Sequence, residues 1–325
     1  MWPTVPFTEL TAEVNQLLGR YRLPKRVDAI LTADWHLRDS IPSCRTEGFL
    51  NSQWRNMTAV SVLQATYDCP VIHAGDLFHH WRSSPELIAM AMKMIPRQFV
   101  TIYGNHDLPY HSTSHKTKSA LYVLEVGRFV KVVNGVLWDA NSRKAIDPDI
   151  ITLKGRRILI GHLTIRAPGY EQIWMDSDSV SVDELFDSYD FDLFLTGHLH
   201  IPFQIRRGDR VLLNPGPLTV QNSSQVRFVP TVYLWNAEEN ELTEIELPEP
   251  KDSFVLVESS QTRTTDTNLT DNLVQLLRDF QSLSDLDSSI DKMIHTAQEQ
   301  YHLSPQVAEL IYQLLREAQE AIDGN

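Results

Sequence analysis

The sequence predicts an α/β fold built on a mostly parallel sheet, and three observations predict it. Short β-rich runs recur along the first two-thirds of the chain, helical patterns separate the first of them, and each run ends in a cluster of polar residues. "RVDAILTADWH" ends in Asp34-Trp35-His36, "CPVIHAGDLFHH" passes through Gly75-Asp76, and "FVTIYGNHD" ends in Asn105-His106-Asp107. Further on, "RRILIGH" ends in Gly161-His162 and "DLFLTGHLH" in Gly197-His198-Leu199-His200. Helical patterns from Asn51 to Ala65 and from Pro85 to Ile95 lie between the first three runs, and Pro85 suits a first helical position. The order is βαβαβ, in which ligands sit outside the carboxyl ends of the strands, where the polar clusters fall. From Val130 to Leu247 the text is richer in β patterns, with turn signals at Gly208 and at Asn214 to Pro217, and it reads as the second half of a two-layered sheet core.

At 325 residues and 42% hydrophobic content, the chain accommodates one large domain or a catalytic domain with an appendage. The expected division is a catalytic domain over 1–250 and a tail over 251–325. In the tail, the polar linker "SSQTRTTDTNLTD" precedes three amphipathic helical patterns. Their apolar faces are Leu273, Leu276, Leu277 and Phe280; Ile290, Met293, Ile294 and Ala297; and Val307, Leu310, Ile311, Leu314, Leu315 and Ala318. The net charge is −13, and 251–325, with 13 acidic and 5 basic residues, carries −8 of it. An acidic balance argues at first sight against nucleic acid as a partner, although carboxylates that hold divalent metal offset part of it. The opening residues show no secretory leader, and no run reaches the roughly 18 apolar residues of a membrane span. A soluble, cytoplasmic protein is expected. Its two cysteines, Cys44 and Cys69, form no CxxC pair and read as small core residues of a reducing compartment.

Taken together, the clusters offer Asp34, His36, Asp76, Asn105, His106, His162, His198 and His200. Carboxylate, imidazole and amide oxygen form a mixed O/N donor set that suits manganese, iron or zinc and lacks the thiolates that select copper or iron–sulfur clusters. So many donors exceed the needs of one ion. They suit two ions bridged by a carboxylate, the arrangement that clamps the attacking and leaving oxygens of a phosphate ester in line.

D-x-H, GD, GNHD, GH and GHxH, in that order from Ile30 to Pro217, resemble the signature of the calcineurin-like metallophosphoesterase superfamily. The resemblance implies a four-layered fold, two packed mixed β-sheets flanked by helices, to which the helical tail would be a C-terminal appendage. It implies two divalent ions, manganese first and iron, zinc or magnesium as alternatives. Asp34, His36 and His200 would bind one, Asn105, His162 and His198 the other, and Asp76 would bridge them. His106 matches the family's catalytic imidazole, which is not bound to metal, and Asp107 would orient it.

A narrower match follows. "GDLFHHWRSSPELI" and "ADWHL" resemble the SbcD-type nucleases, exonuclease subunits of double-strand-break repair complexes. In that family His79 would help place the phosphodiester, and helices after the catalytic core bind an SbcC-type ATPase. One departure stands out, since many members continue D-x-HL with Gly where this chain has Arg38. Arg38, Arg45, Arg82 and Arg166, with His111, His115, Lys116 and Lys118 in "HSTSHKTKS", are candidates for contacts to a DNA backbone. The leading expectation is a metal-dependent DNA exo- or endonuclease of repair or recombination, with metal-bound hydroxide as nucleophile. The alternatives are a phosphatase or small-molecule phosphodiesterase of the same superfamily, and a non-catalytic scaffold. No GxxxxGK[ST] motif occurs, so any ATP dependence has to come from a partner chain. An SbcC-type ATPase and a second copy of the chain are the expected protein partners, and no membrane is.

Overall fold

Side chains alternate along the strand Ala29–Thr32, and that alternation divides the core of the molecule. Ile30 joins one apolar cluster, while Ala29 and Leu31 join another. The computed structural model describes residues 6–46, 48–139, 144–145, 148–166, 179–222, 225, 228–249 and 254. The expectations for the helical tail fall on residues outside these. Two units divide the chain, Met1–Leu256 and Val257–Asn325, and every described residue belongs to the first.

One sheet runs in the order Glu241–Glu246, Thr231–Asn236, Ala29–Thr32, Val71–His73, Phe99–Thr101, Lys131–Val132. Its last four strands are parallel, as the βαβαβ order requires, and the two late strands close its edge as an antiparallel hairpin. A second sheet centres on Leu193–Gly197, which lies parallel between Arg156–His162 and Arg210–Asn214. Leu31, Ala33, Ile72 and Ala74 of the first sheet pack against Ile158, Ile160, Leu193, Leu195 and Leu213 of the second. On the outer face of the first sheet, Ile30, Val71 and Phe99 meet Leu10, Val14, Trp54, Val60, Leu87 and Leu124 from four helices. These are Phe7–Leu18, Gly48–Tyr67, Pro85–Met94 and Ala120–Val126. On the outer face of the second sheet, Phe194 and Leu212 meet Leu185 and Phe186 of the helix Val182–Ser188. The result is the helix–sheet–sheet–helix layering that the family resemblance implies.

The two helical patterns appear where expected, the first as Gly48–Tyr67 and the second as Pro85–Met94, capped by Ser84, whose hydroxyl accepts from Leu87 N at 3.1 Å. The helix Phe7–Leu18 adds to them. Leu10, Val14 and Leu18, four residues apart, bury one stripe of it. Cys69 is a core residue and Cys44 is half-buried, so only the first fills the role expected of both. Among the described residues, no helix is long and apolar enough to cross a membrane.

Candidate metal centre

Parallel register delivers the polar clusters to one edge. Thr32 pairs with His73 and His73 with Thr101, so three chains leave the first sheet side by side, while Gly197 pairs with His162 at the end of the second. The chain then turns sharply. Asp34, His36, Asp76 and His198 all have left-handed backbone, with φ of 50°, 44°, 56° and 85°. Such values are uncommon outside glycine but favour Asp, Asn and His over bulkier residues, and they cluster where a site is held by its surroundings. Two glycines make the crowding feasible. A Cβ on Gly104 would collide with the backbone and carboxylate of Asp76, and one on Gly197 with the Ala74 carbonyl.

The donors fall into two groups, Asp34 with His36 and His200, and Asp76 with His162 and His198; within each group the candidate ligand atoms lie within 4.8 Å of one another. Asn105 joins the second, its Oδ1 lying 3.0 Å from His162 Nε2 and 2.9 Å from His198 Nδ1. Asp76 spans both, with Oδ2 at 3.5 Å from His36 Nε2 and 3.2 Å from His162 Nε2. This is the grouping that the family resemblance implies.

Whether these residues suit metal can be tested on their own chemistry. His36 Nε2 faces His200 Nε2 at 2.9 Å, and Asp34 Oδ1 lies 3.8 Å from the latter. Asp34, Asp76, His36 and His162 are almost fully buried. Lone pairs of carboxylate, amide and imidazole thus converge with few protons to share among them, which is costly in a dry interior unless a cation joins them. The donor set fits divalent metal.

Electrostatics point the same way. Burial pushes the Asp34 carboxyl up to about 7. Burial acts against the charge of Asp76 too, but His162 and His106 outweigh it and hold that carboxyl well below its ordinary value. Burial also pulls His162 down, yet Asp76 and Asp34 prevail and raise it to about 9. Burial, reinforced by neighbouring imidazoles, lowers His36, takes His198 to about 3 and His200 to about 4. Those three stay neutral, the form that ligates metal, while His162 holds a proton that an ion would have to displace, as Asp34 does below about pH 7.

A second ring of contacts fixes the ligands. His162 Nδ1 donates to the Ala74 carbonyl at 2.8 Å, which leaves Nε2 free for metal, and His198 N donates to both Asp34 oxygens at 3.0 and 3.1 Å. Gln225 Nε2 lies 2.6 Å from His200 Nδ1, while its Oε1 accepts from Gln221 N at 2.8 Å. Gln221 Nε2 donates in turn to the His36 carbonyl at 3.1 Å. Sequence reasoning passes over these two glutamines, because a loop amide shows no periodicity and no adjacent motif.

His106 stands outside both groups. Its Nδ1 donates to the His79 carbonyl at 2.6 Å, its backbone N donates to Asp76 Oδ1 at 2.8 Å, and its ring centroid is 4.7 Å from that of His36. Asp107, expected to orient this imidazole, makes no hydrogen bond to it. Its fully buried carboxylate accepts from Leu77 N, Phe78 N and Gly104 N at 3.2, 3.0 and 3.1 Å, and so splices the GDLF turn to the GNHD turn. The physical reason is demand, since three buried N–H groups need an acceptor there. His79 sits beside His106, ring centroids 5.3 Å apart, and burial takes its imidazole down to about 3. His36, His79 and His106 form a further cluster of imidazoles, the last two of them partly exposed.

The basic residues divide. Arg45 is 3% exposed, paired with Glu249 and stacked 4.3 Å from the Phe254 ring, so it is structural and has no free face for a DNA backbone. Lys116 pairs with Glu125 at 3.5 Å, and Arg166 donates to Ser179. Arg82, His111 and Lys118 are exposed. Arg38 is half-buried near His79 and Gln221.

A family model described as the calcineurin-like phosphoesterase superfamily domain matches residues 29–239. Similar solved structures include an archaeal phosphodiesterase, at 15% identity and TM-score 0.41, covering 67% of this chain and 98% of that one. Zinc-complexed Vps29 from Entamoeba histolytica is 14% identical with TM-score 0.33, covering 67% and 98%. A putative 5′-nucleotidase from Staphylococcus aureus is 15% identical with TM-score 0.37, covering 77% and 58%. Likeness at these scores says nothing of what this chain acts on. No curated protein matches it.

Proposed function

The chain belongs to the calcineurin-like phosphoesterase superfamily, and from that premise we propose that it is a two-metal phosphodiesterase cleaving DNA as an SbcD-type nuclease does. The observation that carries the reading is the pairing of Asp76, shared by both donor groups, with His106, fixed beside them through a main-chain carbonyl. Asp34, His36 and His200 would hold one ion and Asn105, His162 and His198 the other. When bound, the ions supply Lewis acidity toward the phosphoryl oxygens and activate water for in-line attack. Manganese is the first candidate on the family resemblance, with iron, zinc or magnesium as alternatives.

The protein's own residues do the rest. Because Nδ1–H of His106 is committed to the His79 carbonyl, Nε2 is the atom left to meet substrate, and a proton there passes to the departing oxygen. His79 adds an imidazole on the same side, where a diester presents its leaving group. The GDLFHH resemblance and this placement of His79 favour nucleic acid over a small ester. The acidic balance favours the second reading, a small-molecule phosphodiesterase or phosphatase. The tail over 251–325 is proposed to carry an SbcC-type ATPase partner or a second copy of the chain, and the cytoplasm to be its compartment.

The test is purified protein with manganese on end-labelled double- and single-stranded DNA, beside p-nitrophenyl phosphate and bis-p-nitrophenyl phosphate. Cleavage of DNA and of the bis-ester, with little turnover of the monoester, is expected. Turnover of the monoester alone, with DNA intact, would sink the nuclease reading.

A further inference from the structure

Arg38 is not a metal donor, and its own turn is held without its side chain. Its backbone is clamped by Gln53, whose Oε1 accepts from Arg38 N at 3.0 Å and whose Nε2 donates to the Arg38 carbonyl at 3.1 Å, so the side chain is not needed to hold the turn. The guanidinium is half-buried. Nε donates to Ser40 Oγ at 2.9 Å and Nη1 to Gln221 Oε1 at 3.4 Å, and no carboxylate among the described residues pairs with it. Asp39, the adjacent acid, instead accepts from Ser84 Oγ at 2.6 Å. Both hydrogen-bond partners of the guanidinium are neutral, and the Asp39 carboxylate acts on its charge through space without forming an ion pair with it.

Its place is defined by its neighbours. Gln221, which it contacts, donates to the main chain of His36. Through Gln221 the guanidinium is tied to the His36 turn, two residues along the chain from a donor, and it belongs to neither donor group. A planar cation with free donors, partly desolvated and in no direct ion pair, is suited to bidentate capture of a phosphate. The scissile phosphate already has the metal groups and two imidazoles around it.

We propose that Arg38 binds a second phosphate of the substrate, one unit along from the scissile one, and so selects esters that carry more than one phosphate. A polynucleotide and a small nucleoside polyphosphate share that chemistry; the polynucleotide source rests on the nuclease reading above.

Competition against bis-p-nitrophenyl phosphate reads binding without requiring that the competitor be cleaved. The competitors are a short phosphorothioate oligothymidylate and ADP, with manganese present, on wild type, Arg38→Ala, Arg38→Gln and Arg38→Lys. The inhibition constant of the oligonucleotide is expected to rise about tenfold in R38A and R38Q, the size of one charge-assisted contact, with partial recovery in R38K. Its log–log salt slope should fall by about 1. The KM of the one-phosphate bis-ester should rise much less. An equal loss on both would place Arg38 at the scissile phosphate or in the scaffold and overturn the proposal. If only ADP competes, and its inhibition weakens in R38A, the nuclease reading fails while the role of Arg38 stands. If neither competes with wild type, or both compete equally well with every variant, Arg38 has no such role.

Discussion

His106 Nδ1 donates to the main-chain carbonyl of His79 at 2.6 Å, so the two imidazoles that flank the donor groups are joined through one stretch of backbone. Neither the imidazole nor its hydrogen bond belongs to the two donor groups that share Asp76. His106→Ala is therefore expected to keep its metal content while the rate on bis-p-nitrophenyl phosphate falls by roughly 10² to 10⁴, the usual share of a general acid. Metal analysis beside kinetics decides it, and loss of metal would make His106 a ligand.

Asp76→Asn is expected to empty both sites together. Oδ2 reaches His36 in one group and His162 in the other, so one neutralised oxygen weakens both. Calorimetric titration with manganese should show stoichiometry and affinity falling in step with activity. Two ions retained at wild-type affinity would remove Asp76 from the bridge.

Asp107→Ala should act on the fold. Three buried N–H groups lose their acceptor, and each unsatisfied group costs about 1–3 kcal/mol. A clear drop in melting temperature is expected, with Asp107→Asn milder because one amide oxygen still accepts. Should Asp107→Asn melt like wild type yet lose rate as His106→Ala does, the carboxylate acts on the imidazole after all.

The pH dependence of the metal-free protein follows from His162, Asp34 and Asp76. His162 is raised from 6.5 to about 9, so its contribution is fully present below 6.5 and is lost as pH rises through 9. Asp34, raised from 3.8 to about 7, favours the fold in its protonated form and loses that contribution as pH rises through 7. Asp76 is depressed, and its contribution is lost only as pH falls well below 3.8. In chelator, the melting temperature should therefore decline from pH 6.5 to pH 9.5. Manganese should flatten or reverse the decline, because its binding releases the His162 proton. A metal-free melting temperature that rises across this window would contradict the assignment.

The donors were legible in the sequence because each contrasts with its surroundings, an Asp, Asn or His within a few residues of the end of an apolar run, often just after a glycine. The layering was legible for a related reason, since βαβαβ spacing dictates parallel strands and puts helices on their faces. The backbone partners of Asp107 were not legible, because adjacency in sequence says nothing of which N–H groups a fold leaves without acceptors. Arg45 was misread because an arginine's burial depends on a partner more than two hundred positions away, Glu249. Gln221 and Gln225 left no signal at all. The helix Phe7–Leu18 did leave one, in the spacing of Leu10, Val14 and Leu18, which a reading for leader peptides alone overlooks.

The left-handed backbone at Asp34, His36, Asp76 and His198 also bears on how this centre could change over evolutionary time. Such φ values are tolerated best by Gly, Asn, Asp and His, and poorly by branched or bulky side chains. Backbone shape is thus a filter on the alphabet of ligands, acting before any metal is bound. An Asp can drift to Asn at little conformational cost, which makes the charge of the centre adjustable in single steps. Exchange for a β-branched or aromatic residue is penalised twice, once in ligation and once in φ. A lineage carrying this fold would therefore retune its metals more readily by trading carboxylate for amide than by redesigning the donor set.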